Sequence, residues 1–383
     1  MGAFIVIAVC VTAGIVFCIR FISIRTSQFP VIARSFNSPR KAFWVCVLFY
    51  LAVGAILGVT INMINTSIVV IHFGGFWLLS ELIFWILRKI TGRKIPAWVP
   101  GVLAIIITVC YMIIAWYLCT NVREKDYVLQ NSRLKGDLRI VQIADSHMGA
   151  TFHASKFHDY ILEINELHPD LVVITGDFVD DDTSREDMIE SCRALGDLET
   201  KYGVYFCYGN HDKGYFSDKA KGWTNDDLLA NLAENAVTVL QDETVLIDDR
   251  FYVIGRQDKS EESRGSGRMT PAQLTEGLDP DLYKIVLDHQ PVEYDEEAEA
   301  GADLVLSGHT HGGQFFPFNN IGVLTREYDR SNGHENRDGT DFIVTSGISD
   351  WSLIFKTGCR SEYVVVDINM EDGGENLQAT ENG

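Results

Sequence analysis

The sequence predicts an α/β protein in two parts: four N-terminal membrane-spanning helices, then a domain built on mostly parallel sheets. Three observations carry this. Residues 3–19, 42–64, 67–87 and 98–118 are apolar runs of membrane length. After them, short apolar runs of strand length alternate with amphipathic helical patterns. Five of the short runs end in a cluster of Asp, His, Asn or Gly.

A helix needs roughly 20 apolar residues to cross the hydrocarbon core, and a soluble chain has no use for four such runs in succession. Trp77, Trp85, Trp98, Trp116 and Tyr117 stand toward run ends, where interfacial aromatics collect. Residues 1–120 hold nine Lys or Arg and one acid, Glu81, a balance of +8; the chain's net charge of −20 leaves −28 for the remainder. The basic loops 20–41 and 88–94 are expected in the cytoplasm, and an even number of crossings then places everything after Cys119 outside it. Nothing basic precedes the first run, and Arg20 and Arg25 follow it, the flank order of an anchor rather than a cleaved signal. The turn between the second and third runs is expected at Asn65. His72 and Glu81 lie nine residues apart, on opposite faces of one helix, and interhelical bonding or a place near the interface is expected of both.

In the second part, residues 138–144 lead into Asp145 and His147, 171–175 into Gly176 and Asp177, and 204–208 into Gly209, Asn210, His211 and Asp212. Residues 283–287 lead into Asp288 and His289, and 303–306 into Ser307, Gly308, His309 and His311. Between them Phe157, Tyr160, Ile161 and Ile164 follow helical spacing, as do Met188, Cys192 and Leu195, and Leu228 and Leu232. Such alternation implies parallel sheets with ligands beyond the carboxyl ends of the strands. Residues 121–137 read as a linker or edge strand, 237–247 and 251–255 as a strand pair, and 259–268 as a mobile surface loop. The last strands are expected at 342–345 and 362–368, and 371–383 as a disordered tail, so the domain runs over 138–370. Cys192 and Cys207 read as small core residues rather than parts of a disulfide framework.

The strand ends collect Asp145, His147, Asp177, Asn210, His289, His309 and His311, with His211 beside them. Imidazoles with carboxylates and an amide suit divalent transition metals such as manganese, iron or zinc better than magnesium or calcium. Seven side chains are too many for one ion, whereas two ions sharing a carboxylate account for the number and can clamp a phosphoryl group. Singly, each piece has a plainer account. Asp-x-His occurs in ordinary turns, His-x-His sets two imidazoles on one side of an extended segment, and Gly-Asn-His-Asp can cap a helix. Those accounts do not explain all five, in order, each closing an apolar strand.

The set DxH, GDxxD, GNHD, a lone His and GHxH resembles the calcineurin-like metallophosphoesterases over about residues 138–368. GHTHGGQ at Gly308 and the run from Ser346 are similar to a membrane-associated subgroup that includes bacterial phosphodiesterases and UDP-diacylglucosamine pyrophosphatases. The resemblance implies an α/β/β/α sandwich. It implies that Asp145, His147 and His311 bind one metal, that Asn210, His289 and His309 bind the other, and that Asp177 bridges them. It also implies in-line attack by activated water, with His211 as proton donor and Asp212 orienting it. Asp180 reads either as part of the motif or, with Asp181 and Asp182, as a cap for the next helix.

Arg256, Arg268 and Arg326 are candidate contacts for substrate phosphate. The acidity of the second part argues against nucleic acid as partner. The expected activity is phosphodiester or pyrophosphate hydrolysis near the bilayer, on a substrate that can be lipid-linked. The alternative is a phosphomonoesterase or nucleotide phosphodiesterase acting on soluble substrates. A sensor that has lost catalysis fits poorly with a complete ligand set, and a transporter fits poorly with spans so sparse in polar residues.

Overall fold

The computed structural model describes residues 2–215 and 221–369, with side chains from residue 9 onward; the expected tail 371–383 lies outside the described residues. The chain divides into two compact units. One runs to Tyr117 and takes in Ser352–Phe355, and the other begins at Leu118 and takes in the rest.

The first unit holds helices α1 (Gly2–Ser27), α2 (Pro30–Ser35), α3 (Pro39–Thr60), α4 (Asn62–Thr91) and all but the last three residues of α5 (Val99–Thr120). Four of them, all but α2, are long and apolar enough to cross a membrane. Cys18, Ile22, Trp77 and Ala104 form a small core in this unit. The break between α3 and α4 comes at Ile61, before the expected Asn65, because Asn62 takes a left-handed φ of 65° and its Oδ1 accepts the Asn65 N–H at 2.9 Å. Glu81 on α4 pairs with Arg25 on α1 at 3.2 Å, the interhelical bonding expected of it. His72 stacks on Tyr111 of α5, with centroids 5.2 Å apart, while its Nδ1 lies 2.8 Å from Ile68 O in its own helix.

In the second unit, two six-stranded sheets face each other. The first has the order β1 (Arg123–Leu129), β12 (Glu362–Ile368), β2 (Leu138–Ile143), β3 (Leu171–Thr175), β4 (Val204–Cys207), β5 (Val237–Val239). The second has the order β10 (Gly333–Arg337), β11 (Thr340–Val344), β9 (Leu304–Ser307), β8 (Tyr283–Leu287), β7 (Phe251–Gly255), β6 (Glu243–Ile247). The strands that end in polar clusters run parallel to one another, β2, β3 and β4 in one sheet and β8 and β9 in the other, while β12 pairs with β2 antiparallel.

Alternation along the strands builds the layers. Leu138 and Ile140 of β2, and Leu171 and Val173 of β3, share a core with Phe251 and Val253 of β7 and with Tyr283, Ile285 and Leu287 of β8. The opposite faces of β2 and β3, through Val141, Ile143, Val172 and Ile174, pack on helices α6 (Ala154–Asn165), α7 (Arg185–Gly196) and α8 (Asn225–Glu234). Tyr252, Ile254 and Val286 face a third core with Leu274 and Tyr294 from short helices on the far side. The order of layers is therefore helix, sheet, sheet, helix. Cys192 and Cys207 lie fully buried in these cores.

Two segments differ from expectation. Residues 237–247 do not form one strand: β5 closes the first sheet and β6 opens the second, with Asp242 at φ 58° in the turn between them. The segment 259–268 is not a loose loop. It contains a short helix, Ser260–Arg264, and is tied down by buried charges, since Glu261 pairs with Lys213 at 3.2 Å and Arg268 with Asp288 at 3.1 Å. The stretch after α5 holds no slack, because two residues separate it from β1, which pairs in parallel with β12.

Candidate metal centre

Each candidate ligand stands just beyond the carboxyl end of its strand. Asp145 and His147 follow β2, Asp177 follows β3, Asn210 follows β4, His289 follows β8, and His309 and His311 follow β9. Five of them, Asp145, His147, Asp177, His309 and His311, have left-handed backbone, with φ between 36° and 71°. Non-glycine residues rarely hold that conformation, and it clusters at functional sites whose surroundings fix it. The sharp turns aim side chains from both sheets at one place. They also crowd the loops: a Cβ on Gly176, itself at φ 82°, would stand 2.7 Å from His289 Nδ1.

Two groups of donors result. Asp145, His147 and His311 form one, and Asp177, His289 and His309 the other, with the ligand atoms of each group all within 4.8 Å of one another. Asp177 Oδ2 lies 3.1 Å from His289 Nε2 and 3.6 Å from His147 Nε2, so one carboxylate reaches both groups. Asn210 Oδ1 is 3.2 Å from His289 Nε2 and adds an amide oxygen to the second.

These donors fit metal ions. His147 Nε2 is buried without a hydrogen-bond partner, pointing to a group other than protein. Behind the donors stand partners that fix each ring. Asp180 Oδ2 accepts from His147 Nδ1 at 3.1 Å, Thr175 O from His289 Nδ1 at 2.8 Å, and Tyr328 OH lies 3.1 Å from His309 Nε2. Such partners set the tautomer and aim of a ligating imidazole. Asp350 Oδ1 lies 3.7 Å from His311 Nδ1, and Asp350 is itself held by Gln314 at 2.6 Å and by the fully buried Lys356 at 3.6 Å.

Burial and the mutual field sort the protons. Burial raises the Asp145 carboxyl to about 6, against the pull of His289 and His147. At Asp177 burial is outweighed by the charge and hydrogen bond of His289, and the carboxyl falls well below the usual range. Burial and the neighbouring His289 lower His309 to about 4, and burial with His147 lowers His311 well below its usual value. Their lone pairs are therefore free at neutral pH. Burial also pulls down His147, but Asp180 and Asp177 outweigh it and raise the imidazole to about 9. Metal binding there has to displace a proton.

His211 stands outside both groups. Its ring lies 5.0 Å from His147 and is flanked by Tyr215 at 5.1 Å and Trp351 at 5.5 Å, both exposed. Its N–H donates to Asp177 Oδ1 at 2.8 Å. The buried Asp212 carboxylate accepts backbone N–H bonds from Asp177, Phe178, Val179 and Gly209 at 2.7–3.1 Å, so it ties the loop after β3 to the loop after β4. Asp180 is not the cap of α7 either; Ser184 is, accepting the Asp187 N–H at 3.0 Å.

Two of the three arginines are committed elsewhere. Arg256 and Arg268 are buried and share Asp288 and Glu293 as partners at 2.6–3.1 Å. With their donors facing carboxylates, they are not placed to bind phosphate. Arg326 borders a surface cleft with Lys259, Glu293 and Tyr328. Asp350, Lys356, Tyr328, Tyr215 and Trp351 had no signal of their own in the sequence, because each acts through a neighbour distant along the chain or by its place at the mouth of the site.

The family described as calcineurin-like phosphoesterase matches residues 138–313. An uncharacterized metallophosphoesterase of Campylobacter jejuni is 30% identical over 249 residues, covering 65% of this chain and 63% of that protein. A transmembrane protein with metallophosphoesterase domain from Bos taurus is 30% identical over 239 residues, 59% of this chain and 51% of its own length. An uncharacterized metallophosphoesterase of Bacillus subtilis is 30% identical over 241 residues, 59% of this chain and 77% of its own length. The chain thus spans between half and two thirds of the first two relatives.

Proposed function

The chain belongs to the calcineurin-like metallophosphoesterases, and on that premise we propose that it is a membrane-anchored phosphoester hydrolase, a phosphodiesterase or pyrophosphatase acting near the bilayer. The observation that carries this reading is Asp177, whose one carboxylate reaches the donors of both groups. Asp145, His147 and His311 would hold one ion, Asn210, His289 and His309 the other, and Asp177 both. Two divalent transition-metal ions, manganese, iron or zinc, would supply the charge that polarises the phosphoryl group and lowers the pKa of the attacking water.

The chain's own residues do the rest. His211, next to the ligand Asn210 and held by its backbone N–H to Asp177, gives a ring proton to the leaving oxygen. Lipid-linked phosphates are the favoured substrates because the chain carries four helices of membrane length and only two residues separate the last of them from the first strand. The exposed rings of Tyr215 and Trp351 beside His211 favour a second reading, a nucleotide phosphodiesterase whose soluble substrate stacks a base there.

The test uses the full chain in detergent, stripped by chelator and reloaded with manganese. Hydrolysis of bis-p-nitrophenyl phosphate should vanish and return. Among natural substrate types, lipid-linked pyrophosphates should be preferred; a preference for nucleotides supports the second reading, and no hydrolysis with two ions bound overturns both.

A further inference from the structure

We propose that residues 315–325 form a membrane-contact loop whose side chains enter the interfacial region of the lipid bilayer. The segment starts beyond the ligand His311 and ends shortly before Tyr328, which bonds His309. Within nine residues it exposes four large apolar side chains: Phe316 at 68%, Phe318 at 65%, Ile321 at 58% and Leu324 at 82%. Single exposed apolar residues need no explanation, but a contiguous group marks a contact with another apolar phase.

The loop is bonded in place. Asn320 Oδ1 accepts from Ser331 Oγ at 2.6 Å, while the apolar side chains around it stay exposed. Gln314 O accepts from the N–H groups of Thr357 and Gly358, and Thr357 Oγ1 accepts the Phe316 N–H at 3.2 Å. The backbone folds back so closely on Gly313 that any Cβ there would strike the Asn319 carbonyl, and the Tyr328 ring packs where a side chain on Gly322 would be. An apolar surface bonded in place in this way has not simply failed to find a core.

Charge and connectivity select lipid over other occupants. Residues 311–326 contain no Asp or Glu and end in Arg326, within a part of the chain that carries −28 overall. An acid-free apolar tip in so acidic a domain suits the interfacial region of a bilayer, where apolar side chains enter the acyl boundary. The same chain has four helices of membrane length, and only two residues join the last of them to β1, so the domain is never far from a bilayer. Because residues on either side of the loop bond candidate ligands, Gln314 N–H to His311 O at 3.3 Å and Tyr328 OH to His309 at 3.1 Å, its insertion would draw the site toward the headgroups.

This inference rests on reading those helices as spans, not on the hydrolytic reading. Its test places the photocrosslinker p-benzoylphenylalanine at 318, in separate samples at 316, and as control at Leu162 on α6, 50% exposed. The full chain is used in nanodiscs of phosphatidylcholine and phosphatidylglycerol, with folding checked by circular dichroism. After irradiation, positions 318 and 316 should gain the mass of one phospholipid and position 162 should not. Adducts to a second copy of the chain, equal labelling at 162, or no adduct at either loop position overturn the assignment. Release of the chain from native membranes by alkaline carbonate would overturn the membrane reading and the loop with it, whereas retention without lipid adducts overturns the loop alone.

Discussion

Asp180 Oδ2 lies 3.1 Å from His147 Nδ1, which leaves Nε2 of that imidazole as the atom facing the other donors. The hydrogen bond holds the Asp180 carboxyl below its usual range although burial pushes it up. Asp180→Asn keeps the shape and removes the charge behind the ring. Affinity for one of two ions should fall by about 10- to 100-fold, the usual effect of losing such a partner, with thermal unfolding little changed. Tyr328→Phe should weaken the ion held by His309 in the same sense. Metal titrations followed by elemental analysis measure both; unchanged affinity in Asp180→Asn would reduce Asp180 to its local bonds with Asp182 and Thr183.

Asp177 is within reach of donors from both groups. Asp177→Ala should therefore lose metal more completely than any other single ligand change. Two tightly bound ions in that variant would show that the groups are held independently.

His211→Asn should leave metal content near normal, because its ring belongs to neither donor group. Turnover of substrates with alkoxide leaving groups should fall by roughly 10²- to 10⁴-fold, the range for one positioned proton donor. Nitrophenolate leaves without a proton, so nitrophenyl esters should suffer less where chemistry limits the rate. Equal losses on both substrate types would assign His211 to positioning instead.

Removing Arg268, whose side chain is 1% exposed, takes from Asp288 and Glu293 one of the two guanidiniums they share, at 3.1 and 3.0 Å, and leaves Arg256 facing both. Arg268→Ala should destabilise the fold, by less than the about 3–5 kcal/mol that follows when a buried charge loses its sole partner, because Arg256 remains. Denaturant unfolding reads this directly. A large rise in KM with stability unchanged would restore a phosphate-binding role.

Topology follows from charge. With the loops 20–41 and 88–94 held in the cytoplasm, reporters fused after Cys119 should be active only on the far side. Activity confined to the cytoplasm would reverse the orientation.

The sequence by itself determined the membrane-length runs, the alternation of strands with helices, and the strand-end residues that bear the chemistry. These signals are local: period, length and a polar cluster closing an apolar run survive without knowledge of what packs against them. Tertiary structure alone decided the left-handed turns at Asp145, His147, Asp177, His309 and His311, which are stable only because neighbouring loops pin them. It also decided that Asp212 binds backbone across 33–35 residues of sequence and that Arg256 and Arg268 face carboxylates rather than solvent. A side chain's role in a site depends on which distant group consumes its hydrogen bonds. That is set by how two sheets stack face to face, and residue order along one strand does not record it.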